Sequence, residues 1–195
     1  MMKRSCQPGF TLLELLVAVA LFGVMAVGLA SFNGMVFGDQ YRKFADLTVA
    51  NGATLVRRAF DSAMGSATYI QDPSTGAATG YLTAWANLDA DGSTPLVAGA
   101  QVQFSHLCLD AEHQQIYLYQ GSYPKPDFSC GDSPASVTRM PLAGGPGFQS
   151  ASLAFYRPGT NLVQMTCGMA LTDHQGQMHS ANVQTQAAAS ANDQN

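Results

Sequence analysis

The feature that most constrains this chain is a run of 24 consecutive residues, 15–38, that carries no charge and nothing more polar than Ser31 and Asn33. As a helix the run is roughly 36 Å long, enough to cross a bilayer with some tilt. The run excludes a plain soluble protein and a disordered one. Ahead of it stand only Met-Met-Lys-Arg-Ser-Cys-Gln-Pro-Gly, a short basic stretch, and the apolar block starts abruptly at Phe10. A secretory signal peptide has its cleavage site behind the apolar segment; here the sharp boundary lies in front, at Gly9–Phe10. Lys3 and Arg4 place the amino terminus in the cytoplasm by the positive-inside rule, with everything after about residue 38 outside. One residue breaks the pattern. Glu14 sits within the apolar block, where an unpaired carboxylate costs at least a few kcal/mol, so it is a functional candidate; the bland reading is an acid at the membrane edge reaching water.

The residues Gly9-Phe10-Thr11-Leu12-Leu13-Glu14-Leu15, behind a short basic leader and within a long apolar helix, resemble the cleavage and methylation signature of type IV prepilins and pseudopilins. The close resemblance covers residues 3 to about 35. It implies that a prepilin peptidase cuts after Gly9 and methylates the new amino terminus at Phe10. It also implies that Glu14 pairs with the Phe10 amine of a neighbouring subunit, compensating two costly charges and setting register in a filament. Partners implied are the peptidase, other pilins or pseudopilins, the inner-membrane assembly platform and the inner membrane itself. Cys6 and Pro8 lie outside the motif, and no proline interrupts the chain between Pro8 and Pro73.

Past the membrane run, Phe37, Tyr41, Phe44 and Thr48, then Leu55, Val56, Phe60 and Met64, recur at spacings of three and four. They predict an amphipathic continuation of the helix over 39–68, with Asn51-Gly52 as a weak point and an end near Ser66–Thr68. Residues 72–101 read as a long loop with one short strand near Tyr81–Ala86. The period then changes to two. Val102, Phe104, His106 and Cys108 alternate, as do Ile116 and Leu118 against Tyr117 and Tyr119, with a hairpin turn over Asp110–Gln114. A second hairpin joins 151–157 to 161–172 through Pro158-Gly159-Thr160, and 178–186 is a further strand. The expected architecture is α+β and pilin-like: a long helix packed on an antiparallel sheet. The expected domains are a leader over 1–9, a transmembrane and assembly helix over 10–38, its amphipathic continuation over 39–68, a periplasmic β-rich head over 69–186, and a disordered tail over 187–195.

Removing the leader takes Cys6 with it and leaves Cys108, Cys130 and Cys167, an odd number in an oxidising compartment. The favoured pairing is Cys108–Cys130, worth about 3 kcal/mol in the chain-entropy model, with Cys167 a buried thiol; the other two pairings stay open. Asn87, Asp89 and Asp91 with Gly92 match the first half of a calcium loop, but the closing Glu position is Ala98, so a solvated turn is the stronger reading. His106, His113, His174 and His179 show no metal spacing, and no nucleophile elbow, phosphate loop or zinc motif appears. No cofactor and no enzymatic activity are expected. From Ser62 onward nine acids face three bases, which disfavours nucleic-acid capture by the head. The leading expectation is a minor pilin or pseudopilin, J- or W-like by resemblance, destined for the tip or shaft of a type IV pilus or type II secretion filament. The alternative is an adhesin or DNA-uptake pilin whose head binds a ligand.

Overall fold

The computed structural model of the chain describes residues 11–190. One helix, α1 (Leu12–Ser66), is followed by nine strands: β1 (Tyr69–Asp72), β2 (Ala78–Thr79), β3 (Tyr81–Ala86), β4 (Gln103–Asp110), β5 (Gln115–Ser122), β6 (Val137–Gly144), β7 (Phe148–Tyr156), β8 (Leu162–Thr172) and β9 (Met178–Ala188). The chain divides within α1 into two units, Met1–Lys43 and Phe44–Asn195.

In the first unit every large apolar side chain from Leu12 to Phe37 is exposed, Leu12 at 79% and Met35 at 75%. Residues that repel water on all sides of a helix have no internal core to join, and α1 is long and apolar enough here to cross a membrane.

In the second unit the remainder of α1 buries a face made of Ala45, Val49, Gly52, Ala53, Val56, Ala59, Phe60, Ala63 and Met64. Of the expected stripe Val56, Phe60 and Met64 are buried, whereas Phe37, Tyr41, Phe44 and Leu55 are exposed and Ala45, Val49, Gly52 and Ala53 take the contact face over the earlier turns. The helix also runs straight through Asn51-Gly52. Gly52 is a site of close approach: a Cβ there would lie 3.0 Å from the Ala143 Cβ and 3.4 Å from the Met169 Cε.

Two antiparallel sheets cover that face, where a single sheet was expected. One has strand order β1-β3-β4-β5-β6, the other β2-β7-β8-β9. Leu82, Leu107, Ile116 and Leu118 of the first and Leu153, Phe155, Val163, Met165, Cys167 and Met169 of the second share one core with α1. The Phe60 and Phe155 rings stack within it, centroids 6.1 Å apart. The first sheet is buried on its other face as well. Trp85, Phe104, Cys108, Tyr117 and Tyr119 pack there with Phe128, Cys130 and Val137. That is why β5 alternates aliphatic Ile116 and Leu118 with aromatic Tyr117 and Tyr119 instead of apolar with polar residues.

Three strands, β1, β2 and β6, lie where none was expected. β6 escapes pattern reading because Pro141 interrupts it and its side chains are mostly exposed or half-buried. The disordered tail expected over 187–195 is not found over 187–190, and 191–195 lie outside the described residues. Ala187 and Ala188 belong to β9, Ala189 is buried and its N–H donates to the Asn161 carbonyl, and the Ser190 N–H donates to that of Ala67. Arg157 ties the two sheets' loops together, with Nη1 donating to the Ile70 carbonyl at 2.8 Å and Nε to that of Thr160 at 3.0 Å.

The close contact at Gly52 separates two glycines of one helix. Gly52→Leu is expected to lower head stability by about 1–3 kcal/mol through overpacking. Gly65→Ala, whose Cβ meets nothing within 4 Å, is expected to raise it by about 0.5–1 kcal/mol. Unfolding followed by fluorescence of Trp85, the single tryptophan, measures both; shifts of the same sign would refute the assignment.

Candidate functional site

Gly9 and Phe10 lie outside the described residues; Thr11 and Glu14 lie within them. An α-helix begins with backbone N–H groups that have no intrahelical acceptor, and Thr11 and Glu14 supply acceptors here. The Thr11 N–H donates to Glu14 Oε2 at 2.9 Å, and the Thr11 hydroxyl donates to the same oxygen at 2.9 Å. The Glu14 N–H lies 3.3 Å from the Thr11 Oγ1, which accepts it. This is a capping box, with Thr at the N-cap and Glu three residues on, and the carboxylate faces the positive end of the helix macrodipole. The Thr-x-x-Glu spacing carried this signal in the sequence, and the reading of Glu14 as an isolated acid overlooked it. The carboxylate is thereby turned back toward the Thr11 N–H at the start of the helix. The exposed neighbours Leu12, Leu13, Leu15 and Leu16 leave it in an apolar belt.

Residues 4–30 match a family model described as the prokaryotic N-terminal methylation motif. The chain carries a type IV pilin-like methylation motif. Gly9, Phe10, Thr11 and Glu14 all fall inside the matched span, as does most of the exposed apolar helix. A motif of this type implies processing by a prepilin peptidase and assembly with other pilins. No curated protein and no solved structure matches the chain.

In the head, Cys108 and Cys130 form a disulfide with Cα atoms 6.1 Å apart, fastening the 123–136 loop over the aromatic face of the first sheet. Cys167 is a buried free thiol on β8, and burial pushes its pKa up to about 11. The 87–92 segment is closed by hydrogen bonds to the residues that follow it, 93–97. Asn87 Oδ1 accepts the Val97 N–H at 2.7 Å, while the Asp89 carboxylate accepts the Ser93 N–H at 2.7 Å and the Thr94 hydroxyl at 2.6 Å. Those bonds, the Thr94 hydroxyl foremost, hold the Asp89 carboxyl down at about 2. Among the described residues no three His, Cys, Asp or Glu side chains converge as a metal site.

The histidines occupy different environments. Burial drives His106 down to about 4, keeping it neutral beside the Thr83 hydroxyl, 2.9 Å from Nδ1. His113 is exposed and raised by its hydrogen bond to Asp110. His179, on β9, bridges two carboxylates: Nδ1 lies 2.7 Å from Asp46 Oδ1 on α1, and Nε2 lies 3.2 Å from Asp173 Oδ2 before the β8–β9 turn. Only the imidazolium donates from both nitrogens, and the bonds to Asp46 and then Asp173 hold its pKa above the ordinary value.

Two predictions follow from these groups. Because the folded pKa of His179 is raised, its contribution is complete below about pH 6.5 and is lost as pH climbs through the raised value. The melting temperature is expected to fall over that alkaline limb, and His179→Gln to flatten the fall; an unchanged slope in the variant would remove His179 as its cause. For the thiols, alkylation of the native processed chain is expected to label no cysteine, alkylation after denaturation one, and after denaturation with reduction three. Labelling in the native state would contradict the burial of Cys167.

Proposed function

We propose that the chain is a minor pilin or pseudopilin, stored in the inner membrane and drawn into a type IV pilus or type II secretion filament. The observation that carries the reading is the methylation motif over residues 4–30, joined directly to a helix whose apolar side chains have nothing of their own chain to pack on. In this reading residues 1–9 are a leader removed after Gly9, and Phe10 becomes the methylated amino terminus. The helix over 10–38 is first a membrane anchor and then the packing element of the filament, with the amino terminus cytoplasmic and the head periplasmic. The head is a structural module rather than an enzyme.

Glu14 has two tasks. Within its own chain it closes the capping box with Thr11. Between chains it meets the Phe10 amine of the next subunit, where an ammonium and a carboxylate would each be costly alone in apolar surroundings. The capping box makes the test sharp. Glutamine also completes a capping box, so Glu14→Gln removes the charge and keeps the cap, whereas Thr11→Ala weakens the cap and keeps the charge.

Intact-mass analysis in cells containing a prepilin peptidase is expected to show a chain that begins at Phe10 and carries one added methyl group. Gly9→Arg is expected to leave the leader attached. Wild-type protein still beginning at Met1 or Met2 would overturn the reading. Glu14→Gln is expected to be processed and inserted normally, with a reduced fraction in sheared filaments, and Thr11→Ala to be reduced less. Equal recovery of Glu14→Gln and wild type would remove charge pairing as the operative interaction.

A further inference from the structure

Two sheets have four edges, and three of them are closed to further pairing. β1 has four residues and a register shift between Ile70 and Asp72, and β2 has two residues. β6 contains Pro141 and a shift in its pairing with β5. Short edges, bulges and prolines are the devices that keep a strand from recruiting another. β9 has none of them. It runs for eleven residues with no proline and no Asp, Glu, Lys or Arg, and pairs with β8 without a shift in register.

Its hydrogen-bonding direction can be read residue by residue. The Ala189 N–H donates to the Asn161 carbonyl at one end of the β8–β9 hairpin, and the Asp173 N–H donates to that of Gln177 at the other. Both pairs keep the register of the ladder between them. Since hydrogen-bonded pairs alternate in an antiparallel ladder, the odd-numbered residues of β9 bond to β8. The backbone groups of Ser180, Asn182, Gln184 and Gln186 point away from it. Their side chains are all exposed, while Ala181, Val183 and Ala187 face the core.

We infer that β9 accepts a strand from a different membrane-anchored subunit, by addition of that strand to the β2-β7-β8-β9 sheet. The inference rests on the filament reading above for the orientation of the partners. A second copy of this chain is a poor donor, because parallel pairing of β9 with β9 turns one sheet over and sets the exposed Ser180–Asn182–Gln184 row of one copy beside the Ala181–Val183–Ala187 row of the other. Pairing β9 with β9 antiparallel needs a two-fold axis perpendicular to the sheet, which turns the helix packed on that sheet end for end. Two chains inserted from the same side of one membrane do not meet that way. Head-to-tail pairing of copies fails too, because the other three edges are closed. The partner strand is extended and weakly charged. It carries small apolar side chains continuing the Ala181–Val183–Ala187 row and polar ones beside Ser180, Asn182 and Gln184. Main-chain bonds supply the attachment, and the side-chain alternation supplies the register.

The test uses the full chain in its own cells, with a photo-crosslinking amino acid at position 182, read in membrane and sheared-filament fractions and alongside Gln184→Pro. That proline removes an outward N–H and no bond to β8, so the head is expected to fold with Cys167 still protected. The expected result is one adduct to a chain of different sequence, through an extended segment, lost in Gln184→Pro. Amide exchange at 180, 182, 184 and 186 is expected to slow about fivefold or more on assembly, the factor that one net hydrogen bond supplies. An adduct to a second copy of this chain, an adduct indifferent to the proline, or no adduct in either fraction would overturn the inference. A proline-sensitive adduct in membranes, with the chain absent from filaments, would support the strand site and overturn the filament reading instead.

Discussion

Everything in the head depends on one helical face narrow enough for two sheets to share. Ala45, Val49, Gly52, Ala53, Val56, Phe60 and Met64 give α1 a surface that is nearly flat over its first turns and bulky over its last. The flat part brings Ala143 and Met169, one from each sheet, to the same glycine. The bulky part inserts Phe60 against Phe155 and buries Met64 completely. The two sheets also meet each other through β7 and β3–β5, so the helix and both sheets complete one core together. At roughly 25 cal/mol per Å² of buried apolar surface, a single continuous core of this kind dominates the energetics of the head. The surface ion pair Arg57–Asp61, 3.6 Å apart and largely exposed, contributes little beside it.

That face was only partly legible in the sequence, for a physical reason. A search for helical periodicity weights large apolar residues, and Tyr41, Phe44 and Leu55 drew the expected stripe toward themselves. Over its first turns the contact face is instead selected for closeness, which alanine and glycine give and aromatic residues prevent. The hairpins were easier. β4–β5 and β7–β8 are local, each closed by a short turn, and their spans follow the alternation closely. β1 and β6 are joined to their partners β3 and β5 through loops rather than tight turns and have weak patterns of their own, so nothing within either segment announces a strand. The same applies to the number of sheets: which hairpins join which is decided at α1, far from any of them in sequence.

The amino-terminal motif was the most legible part of the chain, since its residues act through type and spacing alone. Glu14 was visible as an acid out of place, but its bond to Thr11 shows that the same spacing also serves an elementary need of helix initiation. The bridging position of His179 was the least legible. Asp46 and Asp173 meet it from an element at the start of the head and from a turn near its end, and no local pattern links the three. The exposed aspect of β9 was hidden for a similar reason, because whether a strand is central or terminal depends on what pairs with its far side.

The odd cysteine has a consequence for the order in which the head is made. In the reading proposed above, the processed chain carries three thiols, Cys108, Cys130 and Cys167, into an oxidising compartment and can close three different loops, two of which trap residues that belong in a core. Cys108 and Cys130 enclose the shortest, only 22 residues apart in sequence, and between them lies little more than one hairpin strand and its following loop. Cys167 belongs to β8 and is sequestered once that strand is pressed onto α1 between β7 and β9. Oxidation and packing are therefore in a race. The correct bridge is favoured when the nearby pair meets first and the third sulfur has already been withdrawn, so the hydrophobic core acts as a chaperone for the covalent chemistry of its own surface loop.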